Sequence, residues 1–321
     1  MNAPDLPVAV RSALTGYRLS DAVCASAGSV FVTGTQALVR LPLMQRALDA
    51  ERGLDTAGFV SGYRGSPLGA YDQQLWKYRE QLDAARIRFL PAVNEELAAT
   101  AVLGSQEVES DPDRKVQGVF GLWYGKGPGV DRAGDALKHG NARGSSPHGG
   151  VLVVAGDDHG CVSSAFSHQS DFAMMSWRMP VLSPASVAEL IEFGLYGWAL
   201  SRASGAWVGM KAISEVVESA ASVDLDPIVT GVPAPVPDDF FAVDRALGGL
   251  HLRPDEIPSP SIEARMAMRL DAVRAFARLR SIDRVVADAP QARVGIVTCG
   301  KAHRDLLEAL RRIELTLDDL A

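Results

Sequence analysis

Short apolar runs alternate with longer segments of helical periodicity over the first two thirds of the chain. Strands are predicted for the β-branched or apolar runs at residues 57–61, 87–93, 116–123, 149–156 and 206–212, several of them fully buried. Helices are predicted between them at residues 35–51, 68–85, 95–108, 131–142 and 186–204. This alternation predicts an α/β fold with a mostly parallel sheet covered by helices.

The pattern changes beyond residue 224, where DLDPIVTGVPAPVPDDF is rich in proline and lacks periodicity. Helical periodicity returns in PSIEARMAMRLDAVRAFARL, with Ser261 as a predicted N-cap. The final stretch, ARVGIVTCGKAHRDLLEALRRI, predicts a strand, a glycine turn and a helix, which is one unit of a second sheet. We therefore expect a first domain over residues 1–225, a proline-rich linker and helix over 226–290, and the incomplete start of a second α/β domain over 291–321.

Charge and composition exclude several classes of function. The chain has a formal net charge of −7, which gives no general attraction to nucleic acid or to an anionic membrane surface. No apolar stretch approaches the roughly 18 residues of a membrane span. The three cysteines, Cys24, Cys161 and Cys299, lie far apart in sequence and predict neither a disulfide framework nor a cysteine-ligated cluster. We expect a soluble cytoplasmic protein.

Candidate chemistry follows the predicted strands, because ligands of open α/β sheets bind beyond the carboxyl ends of the strands. After the first run, GYRGSPLGAYD contains Gly62 and Gly65, which permit tight turns. There, Arg64 and Ser66 present a guanidinium and a hydroxyl suited to an anionic ligand. An ordinary turn with a capping serine explains the same residues.

The third run leads into YGKGPGVDRAGDALKHG, with three glycines around Lys126. A phosphate-binding P-loop is excluded, because Phe120 and Gly127 occupy positions that GxxxxGK[ST] requires to be Gly and Ser or Thr. A turn that seats a ligand through backbone N–H groups and a merely flexible turn both remain open.

The fourth run ends in the densest polar cluster of the chain, AGDDHGCVSSAFSHQSD. Its polar residues are Asp157, Asp158, His159, His168, Gln169 and Asp171. No HxxxH or HExxH spacing is present, so no metal site is predicted. A polar loop over a ligand crevice is expected, and the alternative is a solvated connection.

Two carboxylates begin the helix in PAVNEELAATAVLGSQ. Asn94 is a predicted N-cap, so that Glu95 and Glu96 fall in the first turn, where the helix dipole favours acids without any function. The apolar residues before them nevertheless place at least one acid at the ligand edge of the sheet. Small residues follow on one helical face, at Ala98, Ala101, Val102 and Ser105, with Gly104 beside it. They suit either ordinary packing or close approach of another helix or subunit.

Five co-linear segments resemble one enzyme family. These segments are GTQALVRLPLMQRALDAERGLDTAGFVSGYRGSPLGAYD, VNEELAATAVLGSQ, GVFGLWYGKGPGVDRAGDALKHGN, SPHGGVLVVAGDDHGCVSSAFSHQSD and GAWVGMKAISEVVESAASVDLDP. In order, and over almost the whole chain, they resemble the N-terminal part of the long bacterial indolepyruvate ferredoxin oxidoreductases. That family belongs to the thiamine-diphosphate-dependent 2-oxoacid:ferredoxin oxidoreductases.

The resemblance implies a pyrimidine-binding domain up to about residue 225 and the start of a transketolase-C-like domain at 291–321. It implies that Glu95 contacts the aminopyrimidine ring of the cofactor, with Gly65 nearby, while Glu96 is structural. It also implies that Ser66 lies near the substrate carboxylate. Weaker candidates for the substrate pocket are Arg64, Lys126, Asp158, His159 and His168.

The same resemblance implies oxidative decarboxylation of a 2-oxoacid, such as an aryl pyruvate, to an acyl-CoA with electrons passed to ferredoxin. The family's diphosphate and magnesium motif, GDG followed by Asn, does not occur, since GDDHG lies in another loop. We therefore expect the diphosphate, Mg²⁺ and [4Fe-4S] clusters to be held outside this chain, in a homodimer or larger assembly. The chain alone is expected to be inactive. Alternatives are a non-catalytic binding or assembly module of this family and, more weakly, a nucleotide-binding protein.

Overall fold

The computed structural model describes residues 17–163, 165–236, 240–241, 245–256, 259–317 and 319. The strands in this part of the chain are β1 Ser29–Thr33, β2 Thr56–Gly62, β3 Ile87–Phe89, β4 Gly118–Lys126, β5 Val151–Gly156, β6 Val181–Leu182, β7 Val208–Lys211 and β8 Ala220–Asp224. The helices are α1 Asp21–Cys24, α2 Gly34–Glu51, α3 Tyr71–Lys77, α4 Arg79–Ala84, α5 Glu95–Glu107, α6 Gly127–Arg132, α7 Gly134–Arg143, α8 Asp171–Ser176, α9 Val187–Ser204, α10 Ser214–Val217, α11 Asp226–Gly231, α12 Ser261–Leu279 and α13 Lys301–Arg312.

Six strands form one parallel sheet in the order β3-β2-β4-β5-β7-β6. This sheet confirms the predicted α/β class and the five predicted strands, although individual bounds differ by a few residues. Strands β1 and β8 pair antiparallel in a separate two-stranded ribbon that the sequence pattern did not predict. None of the helices among the described residues is long and apolar enough to cross a membrane.

The central strands are buried on both faces, which explains their nearly continuous apolar sequences. Along β4, Leu122 and Tyr124 belong to the core beneath α2 and α9, while Trp123 belongs to the core on the other face, beneath α5 and α7. This alternation follows from the two-residue period of a strand. Because every strand is parallel and covered by helices, their carboxyl ends meet at a single edge of the sheet.

Side-chain caps define the two long helices on one face of the sheet. At the start of α2, Thr33 and Gln36 form a capping box. At the start of α9, the Ser186 hydroxyl accepts a hydrogen bond from the Glu189 backbone N–H, and Gly205, at φ 76°, ends the helix in the left-handed region. The two helices are then joined by the buried carboxylate of Asp49, described below.

Three local predictions were wrong. Ser261 is the first residue of α12 and makes no capping hydrogen bond, because Pro260 occupies the N-cap position. The predicted helix at 68–85 is broken at Tyr78 into α3 and α4. The strand predicted within ARVGIVTCG does not form in the described structure, where residues 292–299 lack regular structure although α13 follows as expected. A strand requires a neighbouring strand for its hydrogen bonds, and no described strand pairs with this segment.

Helix α12 packs on the helices that cover the sheet. The Phe276 ring meets the Tyr196 ring edge-on at 5.5 Å. Arg269 is almost fully buried and donates hydrogen bonds to the carbonyl groups at the end of α7, those of Asn141, Ala142 and Arg143. A buried arginine here satisfies carbonyls that a helix end leaves without partners.

Candidate functional site

The segments that follow β2, β3, β4, β5 and β7 lie at the edge of the parallel sheet where the strands have their carboxyl ends. We call this the carboxyl edge. These segments, together with the last residue of β4, contain every site residue predicted from the sequence: Arg64, Gly65, Ser66, Glu95, Lys126, Asp158, His159 and His168. Parallel pairing brings these segments together although more than 100 residues separate the first from the last.

Helix α5 begins at this edge with Glu95. The predicted N-cap is confirmed, since the Leu97 backbone N–H donates to Asn94 Oδ1 at 2.8 Å. Glu95 is only 8% exposed, whereas Glu96 is exposed. The fully buried Trp123 of β4 donates its indole N–H to the Glu95 backbone carbonyl at 2.9 Å. The first turn of α5 is thus attached directly to the centre of the sheet.

The Glu95 carboxylate lies between α6 and the carboxyl edge. Its Oε2 atom is 3.7 Å from Arg132 Nε, which is beyond hydrogen-bond distance. Within the described residues, neither carboxylate oxygen accepts a hydrogen bond from the protein. Among the described residues, the carboxyl group has an ion pair with Arg132 but no hydrogen bond, so its oxygens keep their hydrogen-bonding capacity for a polar ligand.

The turn after β2 brings Gly65 against the side chain of Lys126. A Cβ atom on Gly65 would lie 2.6 Å from Lys126 Cδ, so a side chain at position 65 would displace the flexible Lys126 side chain. Arg64 is exposed and Ser66 is half-buried, and the Ser66–Pro67 peptide is cis. The edge therefore carries two cationic side chains beside a half-buried hydroxyl.

Asp72 lies behind this turn, at the start of α3. Its carboxylate accepts a hydrogen bond from the Tyr124 hydroxyl. Burial raises the pKa of Asp72, while the Tyr124 hydrogen bond and the positive charge of Arg64 act in the opposite direction. The turn that carries Arg64 is thereby linked to the end of β4.

The loop after β5 is anchored by Asp157, which is fully buried. Its carboxylate accepts hydrogen bonds from the Ser170 N–H at 2.9 Å and the Ser170 hydroxyl at 2.6 Å. Lys211 Nζ, at the end of β7, lies 3.8 Å from Asp157 and 2.7 Å from Asp171. These contacts hold both ends of the polar loop against the sheet.

His168 connects the same loop to α6. Its Nε2 atom is 2.9 Å from Asp131 Oδ2, and its Nδ1 atom is 3.6 Å from Asp157 Oδ1. The ring lies against the bare backbone of Gly127. Both ring nitrogens thus face carboxylates of this chain, an arrangement that shapes the loop.

Asp158 organises the loop from within. Its carboxylate accepts the backbone N–H groups of Val162 at 3.0 Å and Ser163 at 2.9 Å. These hydrogen bonds lower the pKa of Asp158. His159, the next residue, is partly exposed. The carboxylates of Asp157 and Asp158 therefore accept hydrogen bonds from within the loop. Neither of these two carboxylates holds the His159 side chain.

The glycine-rich stretch after β4 is not a turn, since Gly127–Arg132 forms α6 directly. Sequence reasoning placed the helix start at residue 131 and so missed Asp131 and Arg132 as neighbours of His168 and Glu95. It also missed Lys211, whose position as the last residue of a buried strand was the available clue. Among the described residues, no three His, Cys, Asp or Glu side chains converge as metal ligands.

The small residues of α5 serve two purposes. Ala98 and Val102 are buried against the sheet and α7, which confirms the ordinary packing that the sequence left open. Ala101, Gly104 and Ser105 line a surface groove of about 400 Å³ that runs along β2.

No protein-family model matches the sequence, and no curated protein is similar to it. Among solved structures, the 2-oxoglutarate:ferredoxin oxidoreductase from Magnetococcus marinus, with 2-oxoglutarate, coenzyme A and succinyl-CoA bound, is similar with a TM-score of 0.60. The match covers 90% of this chain and 52% of that one, at 16% sequence identity. The two chains share a fold. This chain spans about half the length of its structural neighbour, and at this identity the likeness concerns the fold alone.

Proposed function

We propose that this chain provides the pyrimidine-binding part of a thiamine-diphosphate-dependent 2-oxoacid:ferredoxin oxidoreductase. The observation that carries the proposal is the buried Glu95 carboxyl group, held at the carboxyl edge without a hydrogen bond from the described protein. Residues 1–225 would form the pyrimidine-binding domain, and residues 291–321 would begin the transketolase-C-like domain.

The residues present fit the aminopyrimidine end of thiamine diphosphate. The Glu95 carboxyl group would form a hydrogen bond with a ring nitrogen, and the first turn of its helix is fixed by Trp123. Gly65 would allow the ring to approach the backbone. When bound, the cofactor supplies the carbon nucleophile and electron sink that decarboxylation of a 2-oxoacid requires. Glu96, being exposed, would serve the helix only.

The neighbour's bound 2-oxoglutarate, coenzyme A and succinyl-CoA support the same reaction class for this chain: a 2-oxoacid and CoA give an acyl-CoA, CO₂, a proton and two electrons. We propose ferredoxin as the electron acceptor and an aryl pyruvate such as indolepyruvate as the substrate. Arg64 and Lys126 would attract the substrate carboxylate, and Ser66 would donate a hydrogen bond to it. Asp158, His159 and His168 would line the substrate pocket with further polar groups.

Exposed apolar side chains next to Glu95 in sequence and on α8 support a partner at the carboxyl edge. Val93 is 80% exposed, Leu97 is 51% exposed, and Phe172 and Met175 of α8 are also largely exposed. Clusters of exposed apolar residues mark interaction surfaces. We propose that a diphosphate-binding domain or subunit covers this edge and holds the diphosphate and Mg²⁺. The [4Fe-4S] clusters would also lie outside this chain, in a homodimer or larger oligomer.

The test compares Glu95→Gln with Glu96→Gln in the chain assembled with its diphosphate-binding partner. Glu95→Gln keeps the shape of the side chain but removes the acid, so we expect deuterium exchange at C2 of the bound thiamine to fall at least about 100-fold. Glu96→Gln is the matched control and should leave exchange unchanged. Unchanged exchange in Glu95→Gln would remove Glu95 from the proposed role.

Substrate and acceptor are tested separately, by measuring ferredoxin reduction with indolepyruvate, phenylpyruvate, 2-oxoglutarate and branched-chain 2-oxoacids in the presence of CoA. We expect reduction with at least one aryl pyruvate. The absence of GDG followed by Asn supports a second candidate, a non-catalytic assembly module. An assembly that forms stably but reduces ferredoxin with none of these acids would favour that module.

A further inference from the structure

Gly129 of α6 lies directly against the side chain of Glu95. A Cβ atom at position 129 would come within 2.7 Å of Glu95 Cγ and Oε1 and 3.0 Å of Cδ. These distances are shorter than ordinary contacts between carbon atoms, about 3.5–4.0 Å. The Glu95 carboxyl group therefore occupies space that any other residue at position 129 would fill.

We propose that Gly129 is a positioning residue that sets the location of the Glu95 carboxyl group. The proposal rests on the function proposed above and deepens it. The lack of a side chain at position 129 lets the carboxyl group lie back against α6, from where Oε2 is 3.7 Å from Arg132 Nε. A side chain there would displace the carboxyl group from α6 and change its present relation to Arg132.

The backbone itself does not require glycine at this position. Gly129 lies within α6 and is not among the glycines with positive φ. Alanine is the best helix former and glycine is one of the poorest, so the helix alone would favour alanine. The atoms that a Cβ would meet belong to the far part of a flexible glutamate side chain, not to the backbone. The fold can therefore accept alanine simply by moving the Glu95 carboxyl group.

The start of α6 makes room for a second functional candidate. Gly127, two residues earlier, lies against the His168 ring, where a Cβ atom would overlap Nδ1. Each of the two glycines in the GPG sequence thus leaves room for one side chain to lie against the backbone of α6. This explains a glycine-rich sequence in a helix, where glycine otherwise costs stability.

The experiment compares Gly129→Ala with Gly231→Ala. Gly231 ends α11, is exposed and does not have positive φ, and a Cβ atom there would meet nothing within 4 Å. Crystal structures of the full chain would locate the Glu95 carboxyl group, and urea unfolding would measure stability. Calorimetry of the full chain with its diphosphate-binding partner would measure the affinity for thiamine diphosphate.

For Gly129→Ala we expect the carboxyl group to move by about 1 Å, the difference between 2.7 Å and ordinary contact. The urea midpoint should stay equal or rise, and affinity should fall about tenfold or more. Gly231→Ala should leave affinity and the carboxyl group unchanged. The proposal would be overturned if Gly129→Ala left the carboxyl group in place or left the affinity unchanged. A lowered urea midpoint would also overturn it, because Gly129 would then serve the stability of the fold.

A Glu95→Gln background separates this inference from the proposed function. If Gly129 acts through Glu95, Gly129→Ala should weaken binding much less in that background than in the parent chain. An equal loss in both backgrounds would overturn the inference. If Glu95→Gln alone leaves affinity and C2 exchange unchanged, the proposed function fails. If Glu95→Gln lowers both while Gly129→Ala lowers neither, only the role of Gly129 fails.

Discussion

The Asp49 carboxylate allows a quantitative test of how the helices on one face of the sheet are joined. Asp49, near the end of α2, is fully buried. It accepts two hydrogen bonds from Arg202 of α9, at 2.6 and 2.8 Å. It also accepts hydrogen bonds from the Thr56 hydroxyl at 2.6 Å and from Gln45 Nε2 at 2.8 Å. One side chain thus satisfies donors from α2, β2 and α9.

Asp49→Ala should lower the free energy of unfolding by about 3–5 kcal/mol, the usual cost of removing one member of a buried ion pair. The loss arises because the Arg202 guanidinium, whose side chain is 14% exposed, keeps its charge and loses its partner. The double substitution Asp49→Leu with Arg202→Met removes both charges. It should lose about 1–3 kcal/mol, because only neutral groups lose a partner, namely the donors Thr56 and Gln45 and the Gly149 carbonyl that accepts from Arg202 Nε.

Urea unfolding of the full chain measures both changes, with linear extrapolation to water and an m-value that should match the parent protein. Two results would contradict the reasoning. A loss under about 1 kcal/mol for Asp49→Ala would mean that Arg202 finds solvent or another acceptor without cost. A double variant as unstable as Asp49→Ala would mean that packing, and not the unpaired charge, determines the effect.

Three further outcomes are expected. Trp123→Phe removes the donor to the Glu95 carbonyl, so urea unfolding should show a loss of about 1 kcal/mol. Under the proposed function, calorimetry with the diphosphate-binding partner should show a weaker affinity for thiamine diphosphate, whereas unchanged affinity would exclude Trp123 from positioning the site. Burial lowers the pKa of His251, so on acidification the unfolded chain binds a proton at a higher pH than the folded chain does. The free energy of unfolding should therefore be retained above about pH 6.5 and fall as the pH drops from there towards the folded pKa. In urea unfolding between about pH 7.5 and 5.5, His251→Gln should remove that part of the pH dependence. Phe276→Ala should cost about 3–5 kcal/mol in thermal or urea unfolding, because the ring is 1% exposed against Tyr196; a loss under 1 kcal/mol would show that α12 contributes little to the fold.

Elements with strong local patterns were predictable. The buried runs that became β2, β4, β5 and β7 and the capped start of α5 follow from periodicity and from Asn94, whose preference acts within a few residues. The strand predicted near residue 295 shows the limit of that reasoning. Its sequence is suitable, but a strand depends on a partner, and partner strands are a property of the fold.

The site divides in the same way. The sequence by itself determined that two acids begin α5 at the ligand edge of a parallel sheet, because capping and strand order are local or topological properties. Helix capping alone did not distinguish Glu95 from Glu96, and only the family resemblance favoured Glu95. The burial of one acid and not the other was decided by the tertiary structure, which buries Glu95 against Gly129 and leaves Glu96 in solvent. The physical reason is that exposure depends on which distant segment covers a residue, and α6, more than 30 positions later, covers only one of the two.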